Sequence, residues 1–385
     1  MSDSERGRQA RGSFAKRGAQ PLRIGVVGAG GIAQMMHLPH LAERPDLFRI
    51  AALADVDEET LNAVADRYGV ERRFRDAGAL VADRDVEAVL LCASGSQKSS
   101  ALAALAAGKH VFLEKPLGYG PAEGDEIARA AERVAGTVMI GYHKRYDPAY
   151  RRAREAVHSL ADLRYVEVTV LHPDDDAYRR HHELLPLGRR HPPEPAEAIE
   201  ERVIGKVTRG PMAELVDDIA GRDAPVERRV AGFLCYQSLV HDINLVRGVL
   251  GEPEQVLSWR TWRGGLGQSS LTRFPGDVVV NLTWISVPEL RNYQETVRFV
   301  ANDGRVTLVF PSPYLRHTPT PLAVERMDGE DLVVEHHTVS YDEAFRRELV
   351  EFHACVTTGM APETTVADAL GDSRWIQSML AAGQA

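Results

Sequence analysis

The chain has 385 residues, 44% hydrophobic and 26% charged, values typical of folded globular proteins and outside the ranges of collagenous, low-complexity or disordered chains. Its formal net charge is -9, and the first twenty residues alone carry Arg6, Arg8, Arg11, Lys16 and Arg17 against two acids, so the remainder is distinctly acidic and lacks the basic face that nucleic-acid binding requires. No apolar run approaches the roughly 18 residues that cross a bilayer, and Cys92, Cys235 and Cys355 are too widely spaced for a disulfide framework or a zinc pattern.

The length fits two domains. Residues 1–21 are basic without the apolar segment of a secretory signal, so a flexible tail on a soluble, cytoplasmic protein is expected. From Leu22 the pattern becomes regular. Arg23–Gly28 reads as a strand, Gly30–Leu41 as a helix, Arg49–Ala54 as a strand and Glu58–Tyr68 as a helix closed by Gly69. Ala88–Ala93 is a continuous apolar strand, followed by a helix Gln97–Ala107, a strand His110–Leu113, a helix Pro121–Ala135 and a strand Val138–Tyr142. Strands alternating with helices imply a parallel sheet with right-handed crossovers. A doubly wound domain is therefore expected over 22–142.

Its first turn, Gly28-Ala29-Gly30-Gly31-Ile32-Ala33, has the order glycine, any, glycine, any, any, alanine between strand and helix. The first glycine permits the tight turn, the second lets the backbone approach a pyrophosphate, and Ala33 is small enough for close helix-to-strand packing. The helix N-terminus offers free N–H groups and partial positive charge to the phosphates. The second strand ends at Asp55, where a carboxylate accepts hydrogen bonds from a ribose diol and repels a 2'-phosphate. Val56 and Asp57 supply no arginine for such a phosphate, so NAD is favoured over NADP. The competing reading of Asp55 is the N-cap of the helix at Glu58.

Beyond residue 142 the character changes. Leu163–Leu171 alternates like a half-buried strand, and 172–230 reads as an irregular insertion with one helix, Met212–Ala220. A helix Tyr236–Leu250 stops at Gly251. Strands follow at Gln255–Trp262, Ser269–Phe274, Val278–Ile285, Glu295–Ala301, Val306–Phe310, Leu322–Arg326 and Leu332–His337, without intervening helices, and two helices within 341–382 close the chain. His172, His181, His182 and His191 lack the fixed spacing of a metal site and read as solvated loop residues, so no metal is expected.

The turn Gly28–Ala33, the segment Ala107-Gly108-Lys109-His110-Val111-Phe112-Leu113-Glu114-Lys115-Pro116-Leu117, and His241-Asp242-Ile243-Asn244 ahead of Gly251 resemble, in order and spacing, the glucose-fructose oxidoreductase and inositol dehydrogenase (Gfo/Idh/MocA) family. The likeness runs from 22 to 385. It implies an α/β Rossmann domain at 22–142, then an α+β domain at 143–385 with an open-faced, mostly antiparallel sheet whose outer surface makes a homodimer or homotetramer. It also implies a cofactor site of Gly28, Gly30, Gly31, Ile32, Ala33, Asp55, Ser94, Glu114 and Lys115. The catalytic pair would be Lys115, beside the nicotinamide ribose and the substrate hydroxyl, and His241, which exchanges the proton.

The residue chemistry agrees. An ammonium at a strand's C-terminal end points into the crevice where such sheets bind ligands and stabilises alkoxide character there. Only six of the 46 basic residues are lysine, so a lysine at this point of an arginine-rich chain fits a need for a compact, tunable cation. A histidine suits proton exchange because its ordinary pKa lies near neutrality.

Two departures from the family stand out. Its carboxylates one turn before and three residues after the histidine are here Gln237 and Asn244, amides that can orient a hydroxyl but cannot relay a proton as an acid does. Asp242 faces about 100° away on the helix and is a poor substitute. After the fourth strand, Ser94-Gly95-Ser96-Gln97-Lys98 stands where the family has a histidine-bearing turn, with Lys98 in its place. Lys144 and Arg145 read as crevice wall or structural, and Tyr142 and Lys144 join Gln237 and Asn244 as candidate substrate-binding residues. The expectation is an NAD(H)-dependent oxidoreductase acting on a secondary alcohol or ketone of a sugar, amino sugar or cyclitol. The rivals are a nucleotide-binding sensor that has lost turnover and a glycosidase that recycles NAD within each turnover.

Overall fold

A computed structural model describes residues 20–186 and 195–383. His191 and most of the N-terminal tail lie outside them. Six strands, β1 (Leu22–Val27), β2 (Phe48–Ala54), β3 (Arg73–Phe74), β4 (Ala88–Leu91), β5 (His110–Glu114) and β6 (Val138–Gly141), form one parallel sheet in the order β3-β2-β1-β4-β5-β6. All four residues of β4 are buried, as a strand covered on both faces must be. On one face Val89, Leu91, Val111 and Leu113 meet the helices Lys98–Ala106 and Pro121–Ala131 through Leu105 and Ile127. On the other, Ile24, Val26, Leu90 and Phe112 pack with Leu38 and Leu41, and also with Leu349 and Phe352 of the distant helix Ala344–Thr358.

Eight further strands, β7 (Leu163–His172), β8 (Gln255–Trp262), β9 (Gly267–Phe274), β10 (Val278–Ser286), β11 (Gln294–Ala301), β12 (Gly304–Phe310), β13 (Pro321–Asp328) and β14 (Asp331–Thr338), form a second sheet in the order β14-β13-β12-β11-β7-β10-β9-β8. It is antiparallel except where β7 lies parallel to β10. Its inner face is apolar, with Val166, Val168, Val280, Leu282, Val297 and Phe299 buried. The outer face is mixed: Leu271 and Val309 are exposed on it, Arg298 donates to Glu167 at 2.7 Å, and the Ser269 hydroxyl bonds Asn281 and Thr283.

The helix expected over 212–220 is present as Pro211–Ala220, but the rest of 172–230 is less irregular than its sequence suggests, with further helices at Asp176–Arg179 and Ala196–Thr208. The helix expected to begin at Tyr236 begins at Val226, runs to Leu234, widens into a π turn at Cys235–Leu239, and continues as Val240–Leu250. Arginines and prolines punctuate this stretch densely enough to hide its periodicity. The helices Ala77–Ala82 and Pro148–His158 were also missed, although Asp147 followed by Pro148 carries a helix-start signal. The Asp147 carboxylate does cap, accepting from the Ala149 N–H at 2.7 Å. The helix after the glycine turn opens as a π turn, Ala33–His37. No helix among the described residues is long and apolar enough to cross a membrane.

Candidate active site

The glycine turn is shaped by contacts that glycine alone tolerates. Gly28 has φ +90°, and a Cβ there would lie 2.6 Å from the Ala93 nitrogen. Above Gly30 nothing lies within 4 Å, so its backbone is bare toward the crevice. The first backbone bond of the following helix runs from the Gln34 N–H to the Gly30 carbonyl at 3.0 Å, which leaves the N–H groups of Gly31, Ile32 and Ala33 ahead of the ladder. These features fit a dinucleotide pyrophosphate. Asp55 ties the turn to the end of β2, accepting from the Ala29 N–H at 2.7 Å and the Asp57 N–H at 2.9 Å. The helix cap is Asp57, which accepts from Glu59 and Thr60, so Asp55 does not cap. An arginine does reach this end of β2: Arg75, just past β3, donates to the Val56 carbonyl at 2.9 Å and pairs with Glu58 at 2.9 Å. It comes from the neighbouring strand, not from the residues that follow Asp55.

Lys115 follows β5 at the sheet's C-terminal edge. Its ammonium donates to the backbone carbonyl of Gln237, inside the π turn, at 2.6 Å. Burial lowers its pKa to about 8, with Lys144 adding to the fall and the carboxylates of Glu114 and Asp175 opposing it. The Gln237 amide is exposed and held by Tyr119, whose hydroxyl donates to its Oε1 at 2.6 Å. His241 lies one turn further along the helix. Burial, then the charges of Lys115, His143 and Lys144, hold its pKa well below the usual imidazole range, so it is neutral. Its Nδ1 is buried without a hydrogen bond. The His143 ring meets it edge to face, with centroids 4.8 Å apart. Lys115, Gln237 and His241 thus converge on one crevice.

Other expected site residues lie behind this surface. Asn244 is fully buried; its amide donates to Asp368 at 2.8 Å and Asp372 at 2.9 Å, and its oxygens accept from Arg145. It therefore supports the fold and does not face substrate. Lys144 is buried between Glu295, which it contacts directly, and Asp242, 3.5 Å away. Burial and Glu295 push the Asp242 carboxyl well above the usual carboxylate range, while the Tyr293 hydroxyl donates to Glu295 at 2.5 Å. Tyr142 is buried beside His241, ring centroids 6.5 Å apart. Arg145 is also buried and pairs with Glu363.

Glu114 turns its carboxylate away from the crevice, onto His37 Nε2 at 2.6 Å, and its carbonyl accepts from Gln97. The nearby Glu348 is fully buried, and burial with the charge of Glu114 raises its pKa well above the usual range. His37, Glu114 and Glu348 place donor atoms within 4.8 Å of one another, an arrangement we read as a carboxyl holding its proton beside a His–Glu bond. Ser94 is exposed in the turn after β4. Lys98 does not take the place of the family's histidine: its ammonium leaves the crevice and pairs with Glu126 at 3.0 Å.

The insertion supplies residues that sequence reasoning did not single out. Asp175, which acts on Lys115, lies 3.3 Å from the Arg179 guanidinium, itself stacked over Tyr314 at 4.6 Å. Neither His172 nor His182 is a solvated loop residue: His172 packs against Trp284 and Tyr293, and His182 Nε2 bonds the Tyr314 carbonyl at 2.6 Å. Nothing in the spacing of the chain pairs these segments.

Residues 22–142 match the family model described as an oxidoreductase family with an NAD-binding Rossmann fold. An inositol 2-dehydrogenase of Acidothermus cellulolyticus is 27% identical over 354 residues, 88% of this chain and 85% of that protein. A myo-inositol 2-dehydrogenase of Thermotoga maritima is 34% identical over 137 residues, so the matched part spans 35% of this chain and only 40% of that protein. Among solved structures, an aldose-aldose oxidoreductase from Caulobacter crescentus complexed with glycerol superposes with a TM-score of 0.70 at 18% identity, covering 95% of this chain and 98% of the other. A 3-ketoreductase from Actinomadura kijaniata in complex with NADP and TDP-benzene gives 0.69, also at 18% identity, over 94% and 98%. Those two establish shared fold only. With the glycine turn and the Glu114-Lys115-Pro116 turn in their expected places, residues 22–142 are the NAD-binding Rossmann domain of the Gfo/Idh/MocA oxidoreductase family, and the chain as a whole shares the fold of those two structures.

Proposed function

We propose that the protein is an NAD(H)-dependent oxidoreductase that interconverts a secondary alcohol and a ketone on a sugar, amino sugar or cyclitol. Residues 22–142 hold the dinucleotide and 143–385 select the substrate, in a cytoplasmic homodimer or homotetramer assembled through the open sheet face. The reading rests on one observation: the Lys115 ammonium, with a pKa near 8, leaves the carboxyl edge of the sheet that carries the bare glycine turn and bonds the helix of His241, whose imidazole its charge helps to keep neutral.

When bound, the nicotinamide exchanges hydride with the substrate carbon. The chain does the rest. Lys115 donates to the reacting oxygen and stabilises negative charge that develops there. Gln237, fixed by Tyr119, orients a neighbouring hydroxyl. His241 takes the hydroxyl proton during oxidation or returns it during reduction. Asp55 selects the unphosphorylated ribose. The relatives named as inositol dehydrogenases support a cyclitol or sugar substrate.

The test is nicotinamide absorbance with NAD(H) and NADP(H) against a panel of polyols, inositols and ketosugars. Turnover is expected with NAD(H), and a Lys115→Ala variant should lose on the order of 100-fold or more in kcat. Full activity in that variant would overturn the assignment of Lys115.

A further inference from the structure

The polarity of the hydrogen-bonding groups in the crevice narrows the substrate. Lys115 spends one N–H on the Gln237 carbonyl, and as an ammonium it keeps two more. The Gln237 amide is held by its oxygen. Tyr119 is buried, and Oε1 is the one acceptor its hydroxyl reaches among the described residues. Turning the amide over would strand that hydroxyl hydrogen without a partner, so Tyr119 fixes which end of the amide points outward. Residue 237 is exposed and no described residue accepts from its Nε2, which leaves two amide N–H groups for a ligand.

The acceptors nearby are already engaged. Two carboxylates bear on the charge of Lys115: Glu114 is bonded to His37 at 2.6 Å, and Asp175 lies 3.3 Å from the Arg179 guanidinium. The Ser238 hydroxyl, next along the π turn, accepts from Trp284 Nε1 at 3.1 Å. An acid at residue 237, as in the family this segment resembles, would accept the hydrogen of a substrate hydroxyl. The amide as it is held here donates instead. A hydroxyl set against it can take one N–H, but its own hydrogen then finds no protein acceptor. A carbonyl or carboxylate oxygen has no hydrogen to place and can accept from both Nε2 and Nζ.

We propose that the substrate is an oxo-sugar or sugar acid, recognised by a carbonyl or carboxylate oxygen close to the reacting carbon that the Gln237 amide and the Lys115 ammonium bind together. The inference rests on the functional reading above and narrows it. Of the two free N–H groups of Lys115, one serves the reacting oxygen and one this neighbouring acceptor. Gln237 sets specificity by contact with substrate. Tyr119 acts through Gln237 and is a positioning residue.

The test is a set of matched pairs assayed with NAD(H): gluconate against sorbitol, glucuronate against glucose, and 2-keto-myo-inositol against myo-inositol. In the wild type the acid or oxo member should lead by about 10-fold or more in kcat/KM, and the pairs that show the lead separate a carboxylate from a carbonyl. Gln237→Glu should reverse the order, because the new carboxylate accepts the hydroxyl hydrogen and repels the acid. Tyr119→Phe keeps the ring against Phe233 but releases the amide, so the lead should shrink severalfold while the NAD dissociation constant, by fluorescence titration, stays within about twofold. A Tyr119 that served packing alone would leave the ratio within each pair unmoved. Saturation-transfer NMR of the same compounds on the NADH complex reads binding without turnover. A wild-type order that favours the fully hydroxylated members, or a Gln237→Glu variant that keeps the wild-type order, would overturn the inference. If no compound turns over, the proposed function fails and the NMR ranking decides: tighter binding of the acid or oxo member, lost in Gln237→Glu, upholds the donor pair, and equal or absent binding overturns it.

Discussion

The ammonium of Lys115 donates to the main-chain carbonyl of Gln237 at 2.6 Å, so the cation at the end of β5 is anchored to a π turn 122 residues further along the chain. A π turn inserts an extra residue into the helix and changes where backbone carbonyls point, which is why such turns recur at functional sites. The bond joins the parallel sheet to the histidine helix at the point where chemistry is proposed.

That position has a thermodynamic signature. Lys115 has a folded-state pKa of about 8 against an ordinary 10.5, because burial disfavours its charge. Between those values the unfolded chain binds more protons than the folded one, so stability rises with pH across the window, and the full penalty applies below about pH 8. Lys115→Met should therefore raise stability at pH 7 by on the order of 1–2 kcal/mol, after discounting for the partly open crevice. The gain should shrink toward pH 10.5. Chemical denaturation at pH 7, 8.5 and 10 checks it, and an advantage independent of pH would contradict the assignment.

Gly30 separates folding from nucleotide binding. A Cβ there meets nothing within 4 Å in the chain itself, whereas one at Gly28 would strike the Ala93 backbone. Gly30→Ala should fold with an unchanged melting temperature yet lose affinity for NAD by about tenfold or more, since the methyl occupies the pyrophosphate's approach. Gly28→Ala should lose stability as well, by about 1 kcal/mol or more. Calorimetric titration and thermal melts on the two variants check the contrast.

Restoring the family's carboxylate at residue 244 should not restore chemistry. Asn244 donates to both Asp368 and Asp372, so Asn244→Asp would set three acids together in a dry site and remove the donors that hold them apart. Destabilisation of about 2 kcal/mol or more is expected, with no gain in kcat. Gln237→Glu should behave differently, because residue 237 is exposed at the crevice and adjoins Lys115. A negative charge there should shift the alkaline limb of the rate profile upward, toward the ordinary lysine value.

Much of this was legible in the chain. The β4 run of four buried residues, the glycine turn and Asp55 have local signatures, since hydrophobic period, turn geometry and strand ends are set by near neighbours. What could not be read was which helix face a residue takes and what comes back from far along the chain. Asn244 looked like a site residue because it follows His241 by three positions, yet Asp368 and Asp372, more than a hundred residues away, hold it in the interior. For Lys144 the sequence leaves crevice wall and structural roles open, and Glu295, arriving from β11 to bury it, decides for the second. Arg75 escaped notice because parallel strands bring together residues that no short motif spans.

The cover of the first sheet has a consequence for how the protein is made. The strands of that sheet are complete at Gly141, but Leu349 and Phe352, which seal the face carrying Phe112, leave the ribosome on the order of two hundred residues later. At bacterial or eukaryotic elongation speeds that is a wait of many seconds. Through that wait the nascent domain lacks the apolar cover of Leu349 and Phe352, so its first sheet is finished before its core is.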